Sequence, residues 1–215
     1  TYFDPNLPAG SFPNDITVEP SGKYVYTANN YNDSISGYSI NTVTGGLTAL
    51  SGFPFTGGGL ARPWYITTDP SGKFLYVTNY NTASVSAFAI DSSTGSLTPV
   101  SGSPFAAGSN PQSVIADPSG KFLYVANFIT NTISIYTING TTGELTSAGS
   151  ASTGNRPRSL AVDPSGKFLY VTNQLANSIS GYTINQSTGA LTPLSTPTFS
   201  TGGQPLHMVI VKKLL

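Results

Sequence analysis

An aromatic pair beside a cation is the first group in this 215-residue chain whose residue types could bind a ligand. Trp64 and Tyr65 are adjacent, and Arg62 precedes them by two positions. An aromatic surface beside a guanidinium suits a sugar ring or a planar organic acid. Packing within the core or at the rim of the fold is the alternative role for this pair.

Two arginines and the single histidine form a second group. Arg156 and Arg158 flank Pro157, a pattern that predicts an anion site, with a solvated loop as the alternative. His207 could act as a general base if the last strand brings it near Arg158. A packed or solvent-facing histidine is the alternative interpretation.

One phrase recurs four times and supplies the elements that must position these residues. DPSGKFLYVTN occupies residues 69–79 and 163–173 without a change, and close copies begin at residues 19 and 117. Successive copies are therefore 46 to 50 residues apart. A β-rich repeat of this length predicts the blades of a propeller.

Each repeat unit predicts four antiparallel strands. In the fourth unit, alternating residues over 159–163 lead into a Pro-Ser-Gly turn, and the chain returns over 168–172. Ser178–Ile184 and the segment after the next Thr-Gly turn complete the unit. We therefore predict an all-β β-propeller of four full blades plus one extra inner strand. The blades cover about 13–62, 63–110, 111–156 and 157–204, followed by a closing strand over 205–215.

Blades that pack face to face bury their aromatic and β-branched residues. The predicted interface residues are Ile40, Phe74, Tyr76, Ile90, Phe122, Tyr124, Ile138, Phe168, Tyr170 and Ile184. The repeated phrase is therefore interpreted as architecture, with ligand binding by some of its polar atoms as the alternative.

Composition excludes several classes of function. Charged residues make up 8% of the sequence and the formal net charge is zero, so no binding surface for nucleic acid or anionic membrane is expected. No apolar run reaches the roughly 20 residues that span a bilayer. The sequence lacks cysteine and shows neither a His/Asp/Glu cluster nor a glycine-rich phosphate loop, so no metal and no cofactor are predicted. The polar, low-charge composition favours an extracellular, periplasmic or cell-surface location.

The phrases DPSGKFLYVTN, NSISGYTIN and TGALTPL resemble those of the YVTN-repeat propellers. In particular, they resemble the seven-bladed lactonase-like family related to bacterial 6-phosphogluconolactonase and the fungal muconate cycloisomerases. This resemblance runs from about Pro13 to the end of the chain and implies a ring of about 350 residues at this repeat length. The chain is therefore expected to be a fragment of such a ring or, alternatively, an open arc that pairs with another copy through exposed blade ends.

The resemblance also implies a lactone-hydrolysing site at the channel mouth, with a base and cationic groups. The family is understood to place His and Arg after blade-opening prolines, and Glu and a second Arg after the asparagines that end the following strands. When blade four is matched to the principal arginine, Arg158 fits, but Gln112 and Gln174 stand in place of His and Glu. When the chain is matched from its C-terminal end, the positions hold Trp64 and Tyr80. Neither alignment supplies a base.

Three functions follow, in order of preference. The first is a non-catalytic, exported propeller that binds a carbohydrate, a small organic acid or a protein, because the family's catalytic positions are substituted. Its predicted ligand-binding residues are Arg62, Trp64, Tyr65, Gln112, Arg156 and Arg158. The second is a lactonase completed by missing blades or a partner chain, with Arg158 and His207 as candidate catalytic residues. The third is a structural subunit that self-associates into an oligomer or fibre.

Overall fold

The structure of the chain is a computed structural model that describes residues 12–210. Within this range, four antiparallel sheets follow one another along the chain, and each corresponds to one repeat unit. No helix in the described range is long and apolar enough to cross a membrane. The predicted all-β propeller architecture is therefore confirmed.

The strands of each blade follow in chain order, and the first strands of neighbouring blades lie side by side. Blade one contains β1 (Pro13–Val18), β2 (Tyr24–Asn29), β3 (Ser34–Ile40), β4 (Leu47–Ala49) and β5 (Phe55–Thr56). Blade two contains β6 (Pro63–Thr68), β7 (Phe74–Asn79), β8 (Ser84–Ile90), β9 (Leu97–Pro99) and β10 (Phe105–Ala106). Blade three contains β11 (Pro111–Ala116), β12 (Phe122–Asn127), β13 (Thr132–Ile138) and β14 (Leu145–Ser152). Blade four contains β15 (Pro157–Val162), β16 (Phe168–Asn173), β17 (Ser178–Ile184) and β18 (Leu191–Ser200).

The outer edge differs between the first two blades and the last two. In blades one and two, the outer strand is divided into two short pieces that both pair with the third strand. In blades three and four, the outer strands β14 and β18 are continuous and pair with β13 and β17 at both ends, with one register shift in each pair. The inner three strands pair in the same order in all four blades, so they form a uniform framework for the functional site.

The acidic residue of the repeated phrase closes the hairpin between the first two strands, as the sequence predicts. Asp117 accepts hydrogen bonds from the backbone N–H groups of Ser119, Lys121 and Phe122 at 2.9 to 3.0 Å. Gly120 supplies the positive φ of 70° that the turn requires. The side chain thereby satisfies backbone donors that the turn leaves unpaired.

Neighbouring blades are joined by tyrosines of the repeated phrase. The hydroxyls of Tyr26, Tyr76 and Tyr124 are buried and donate hydrogen bonds to glycine carbonyls of the next blade at 2.8 to 3.2 Å. Apolar side chains around them form a separate core between each pair of blades. A buried tyrosine thus contributes both apolar area and a satisfied polar end to each interface.

Three predicted interface residues are only half-buried. Phe168 and Tyr170 lie on blade four, after which no further blade occurs among residues 12–210. Ile40 lies on blade one, whereas its equivalents Ile90 and Ile138 pack against the preceding blade. These three residues lie on the first and last described blades, so each packs against fewer blades among residues 12–210 than its equivalents do.

The segment after blade four occupies the place of an inner strand without forming one. The backbone N–H of Met208 donates to Ser159 Oγ at 3.2 Å, as that of Leu160 donates to Ser113 Oγ at 3.2 Å one blade earlier. Residues 205–210 are nevertheless not part of a strand, since no antiparallel partner for them lies in the described range. The rest of the predicted closing strand, residues 211–215, lies outside the described residues.

Candidate functional site

A β-bulge follows the proline that opens each blade. In blade one, Pro13 pairs with Asn29, and the register then shifts by one residue so that Asp15 pairs with Ala28. The same shift follows the opening proline in the other three blades. A bulge removes a residue from cross-strand pairing and redirects its side chain. The residue after each proline is therefore free to point away from the sheet.

The residue before each of these prolines has a left-handed backbone conformation. Phe12, Arg62, Asn110 and Arg156 have φ values of 62°, 49°, 54° and 58°. The backbone N–H groups of Arg62 and Arg156 donate to side-chain oxygens of Asp33 and Asn131 at 2.6 and 2.8 Å. This conformation is unfavourable for residues with a Cβ, so the hydrogen bond helps to hold the chain where the bulge begins.

The bulged residues of all four blades meet at one small cavity. Its volume is about 70 Å³. The lining residues are Asn14, Trp64, Tyr65, Gln112, Arg158 and His207. Four of the residues predicted from sequence as ligand-binding, Trp64, Tyr65, Gln112 and Arg158, are thus brought together, and so is His207. The cavity lies where the first strands of the blades begin, at the position expected for the mouth of a propeller channel.

The aromatic pair reaches the cavity, but the arginine beside it does not line it. The rings of Trp64 and Tyr80 stack with centroids 5.0 Å apart. The guanidinium of Arg62 lies 5.4 Å from the ring centre of Tyr31 and 5.9 Å from that of Tyr80. It also donates two hydrogen bonds of 3.3 Å to Asn30 Oδ1. Arg62 therefore packs on the Tyr80 ring of the aromatic stack.

Of the two arginines that flank Pro157, only Arg158 lines the cavity. Arg158 Nη1 donates to Gln174 Oε1 at 3.3 Å. Arg156 instead lies over the ring of Phe128, 4.7 Å from its centre, in a cation–π contact. The bulge explains this separation, because residues on either side of the proline leave the strand in different directions.

Asp15 is a titratable residue near this site that the sequence analysis did not identify. Burial raises its pKa to about 6, although the N–H of Ile66 in the next blade donates to Asp15 Oδ2 at 2.9 Å. Burial, and secondarily the charge of Asp15, also raise the pKa of Tyr65, which lines the cavity. The sequence did contain a signal for Asp15. The equivalent positions of blades three and four hold Ser113 and Ser159, so an acid at this position of blade one is unusual.

The cavity brings chemically different side chains together. Within the described range, no group of three or more His, Cys, Asp or Glu residues lies close enough to hold a metal ion. The cavity instead combines a cation, a histidine, two aromatic rings and two amides. Such a set can bind a polar ring compound, stabilise a negatively charged oxygen and accept a proton.

Fold and cavity together define a β-propeller with a polar cavity where the first strands of its blades begin. The sequence pattern of the family described as "Lactonase, 7-bladed beta-propeller" matches residues 2–116 and 102–209. The chain therefore belongs to this lactonase family of seven-bladed propellers, as its resemblance implies. No match was found among curated proteins.

Solved structures support the same assignment of fold. A candidate 6-phosphogluconolactonase from Bacteroides uniformis is 24% identical with a TM-score of 0.82, and the match covers 92% of this chain and 60% of that one. A candidate 6-phosphogluconolactonase from Bacteroides fragilis is 26% identical with a TM-score of 0.80, over 91% and 56% of the two chains. The periplasmic gluconolactonase PpgL of Pseudomonas aeruginosa is 22% identical with a TM-score of 0.76, over 90% and 55%. This chain thus spans 55–60% of the length of these three proteins.

The family assignment corrects the preferred functional prediction. A non-catalytic scaffold was inferred because Gln112 and Gln174 replace the family's expected His and Glu. Membership of the lactonase family, together with lactonase-like structural neighbours, contradicts that inference and favours the lactonase alternative. Substitution at two aligned positions was a weak argument, because the same cavity contains Arg158 and His207.

Proposed function

We propose that this chain hydrolyses a lactone of a sugar acid in the cavity at the blade-opening bulges. The observation that carries this proposal is that Arg158 and His207 line one cavity in a chain of the lactonase family. The two residues are 49 positions apart in the sequence, Arg158 at the opening of blade four and His207 in the segment that follows this blade. A cation and a proton acceptor in one small cavity are the two groups that lactone hydrolysis requires.

In the proposed reaction, Trp64 supports the sugar ring and Arg158 binds the lactone carbonyl oxygen. His207 accepts a proton from a water molecule, whose oxygen attacks the carbonyl carbon. The resulting negative charge on the oxygen is stabilised by the guanidinium of Arg158. The bond between the carbonyl carbon and the ring oxygen then breaks, and the ring oxygen takes up the proton. Lactone and water together give one hydroxy acid.

Hydrolysis of D-glucono-1,5-lactone and of its 6-phosphate, followed by acid release at constant pH, tests this function. Replacing Arg158 with Ala should lower kcat/KM by about 100-fold or more, the loss expected for a group that stabilises an oxyanion. His207→Gln should lower it by about 100- to 10,000-fold, as for loss of a general base. Arg156→Ala is the matched control, because its side chain packs on Phe128 outside the cavity. Equal rates for wild type and Arg158→Ala on both lactones would refute the proposal.

We rank two further proposals below the lactonase function. The first is that the chain self-associates through its open blade ends, and the second is that it is exported. Ile16 and Val18 on the first strand of blade one are 61% and 52% exposed, and such apolar residues favour contact with another blade. Sedimentation of the chain over a range of concentrations tests this association. A molar mass equal to one chain at all concentrations would rule it out.

A further inference from the structure

Gln112 is the most deeply buried polar residue of the cavity. It is the second residue of β11 and lies at the bulge of blade three. Its side chain lines the cavity, yet the residue is only 4% exposed. By contrast, Asn14, Trp64 and Arg158 of the same cavity are half-buried, and His207 is exposed.

The amide oxygen of Gln112 has no hydrogen-bond partner among the described residues. Two other amides in or near the site do form hydrogen bonds, since Asn14 Nδ2 donates to the Trp64 carbonyl at 3.0 Å and Gln174 Oε1 accepts from Arg158. A buried polar atom without a partner costs free energy, so its retention in a cavity needs an explanation.

A second unpartnered buried oxygen in the described range, Asn173 Oδ1, has a different setting. Asn173 belongs to the repeated phrase, does not line the cavity, and donates through Nδ2 to Ser178 and Ser180 at 3.2 and 2.8 Å. Its equivalents Asn79 and Asn127 perform the same structural role in other blades. Gln112 makes no such structural bond among the described residues and lines the cavity, so a ligand there is the partner that its side chain lacks.

The neighbours of Gln112 define the chemistry of that ligand. A hydroxyl group can donate to an amide oxygen and also accept from an amide nitrogen, so it suits the whole carboxamide. Trp64 offers an aromatic surface to the apolar face of a sugar ring. Arg158 supplies the positive charge for a carbonyl or carboxylate oxygen. A compound with a hydroxylated ring and an acid or lactone group satisfies all three residues.

We infer that Gln112 recognises a hydroxyl group of the substrate and makes the site selective for polyhydroxylated lactones over unsubstituted ones. This inference rests on the proposed lactonase function for its substrate, but the recognition itself is a property of binding. A site with a buried group that must be paired discriminates against ligands that cannot pair it. Gln112 is therefore a specificity-determining residue.

Tryptophan fluorescence gives a direct test, because Trp64 is the single tryptophan of the chain and lines the cavity. Wild-type protein is titrated with D-gluconate and with hexanoate, which has the same number of carbons and a carboxylate but no hydroxyls. Gluconate should bind about 10-fold more tightly or better, and Gln112→Met should reduce this ratio by about 10-fold, the size expected for one hydrogen bond. Gln186→Met is the matched control, since Gln186 Nε2 bonds the Gly166 carbonyl at 2.7 Å outside the cavity.

Turnover separates this inference from the proposed function. The ratio of kcat/KM for D-glucono-1,5-lactone over δ-valerolactone should also fall about 10-fold in Gln112→Met. If no lactone is hydrolysed but the gluconate preference and its dependence on Gln112 remain, the lactonase proposal fails and the recognition inference stands. Equal affinity of wild type for gluconate and hexanoate overturns the inference even if Gln112→Met does not fold. An unchanged ratio in a folded Gln112→Met variant overturns it as well.

Discussion

The two ends of the blades share one repeated backbone but use their side chains differently. At the turn end, formed by the loops after the first and third strands, every blade has an acidic residue that binds backbone N–H groups. These acidic residues are Glu19, Asp69, Asp117 and Asp163. At the cavity end, each bulge presents a different side chain. These side chains are Asn14, Trp64, Gln112 and Arg158.

The difference follows from how the residues at each end take part in backbone hydrogen bonding. A turn residue that satisfies backbone donors has a narrow choice of side chains, since another type would leave those donors unpaired. A bulged residue takes no part in cross-strand pairing, so the sheet places little constraint on its side chain. The turn end therefore specifies the fold, and the cavity end can vary with the ligand. Substitutions of the acidic turn residues should accordingly change stability, and those of the bulged residues should change activity.

The largest effect on stability is expected for Gly189→Ala at the turn end. Gly189 has a φ of 74°, and a Cβ there would lie 2.5 Å from the ring of Phe122 in the neighbouring blade. The variant should lose more than about 3 kcal/mol, because it adds a clash in a packed core to an unfavourable backbone conformation. Urea unfolding measures the loss.

The equivalent turn of blade one provides the control. Gly45 has a φ of 72°, but nothing lies within 4 Å of its added Cβ. Gly45→Ala should therefore cost only about 1 kcal/mol, which is the backbone contribution alone. Equal losses in the two variants would show that contact between blades does not set the requirement for glycine.

The next largest effect is expected for Asp117→Ala. Asp117 is buried and accepts three backbone hydrogen bonds, so its removal leaves donors unpaired away from water. A loss of about 2–3 kcal/mol follows, again measured by urea unfolding. Asp91 caps the turn between β8 and β9 in the same way, through Ser93 and Thr94, but is fully exposed. Asp91→Ala should have the smaller effect because water replaces its bonds, and a larger loss there would contradict this explanation.

A pair of carboxylates extends the comparison to pH. Burial raises the pKa of Asp15 at the cavity end to about 6. Because the pKa of Asp15 is higher in the folded protein than its ordinary value of 3.8, the free energy of unfolding is highest below pH 3.8 and decreases as the pH rises towards 6. Asp15→Asn removes the charge while keeping an acceptor for the Ile66 N–H. It should stabilise the protein by about 1–2 kcal/mol at pH 7.5, after allowance for solvent screening, and by almost nothing at pH 3.5.

Asp163 at the turn end should behave in the opposite way. Desolvation acts to raise its pKa, but hydrogen bonds led by those from Ser165 outweigh this effect and hold the pKa below the ordinary value of 3.8. Its contribution is therefore present above that value and is lost as the pH falls through the lowered pKa. Asp163→Asn should consequently be destabilising at pH 7.5, with the difference from wild type disappearing in acid. Thermal unfolding across this pH range compares both variants, and a parallel pH dependence would contradict the assigned directions.

Local repetition explains how much could be predicted from the sequence. The Pro-Ser-Gly turns, the four-strand units and the residues after each proline all follow from short patterns that recur with the repeat, so Trp64, Gln112 and Arg158 could be assigned to one site. The raised pKa of Asp15 could not be predicted, because it results from burial beside the next blade, where Asp15 accepts a hydrogen bond from the N–H of Ile66, 51 residues away.

The side-chain directions of two arginines could not be predicted from the sequence either. Arg62 was predicted to bind ligand because it stands beside Trp64 and Tyr65, and Arg156 because it flanks Pro157 together with Arg158. Their left-handed conformation and the bulge that follows direct them towards aromatic rings instead. A pattern of residue types does not report such a local change of direction.

The smallest effect on stability is expected at Gln112, where the comparison between the two ends is sharpest. Because its amide oxygen is buried without a partner, Gln112→Met exchanges an unsatisfied polar group for an apolar one of similar size. The free energy of unfolding should change by less than about 1 kcal/mol, and an increase is consistent with removal of a desolvation cost. Urea unfolding of Gln112→Met and of the Gln186→Met control makes the measurement, since Gln186 would lose a real bond. A large destabilisation confined to Gln112→Met would mean that this amide supports the fold, and the division between a structural end and a functional end would not hold at blade three.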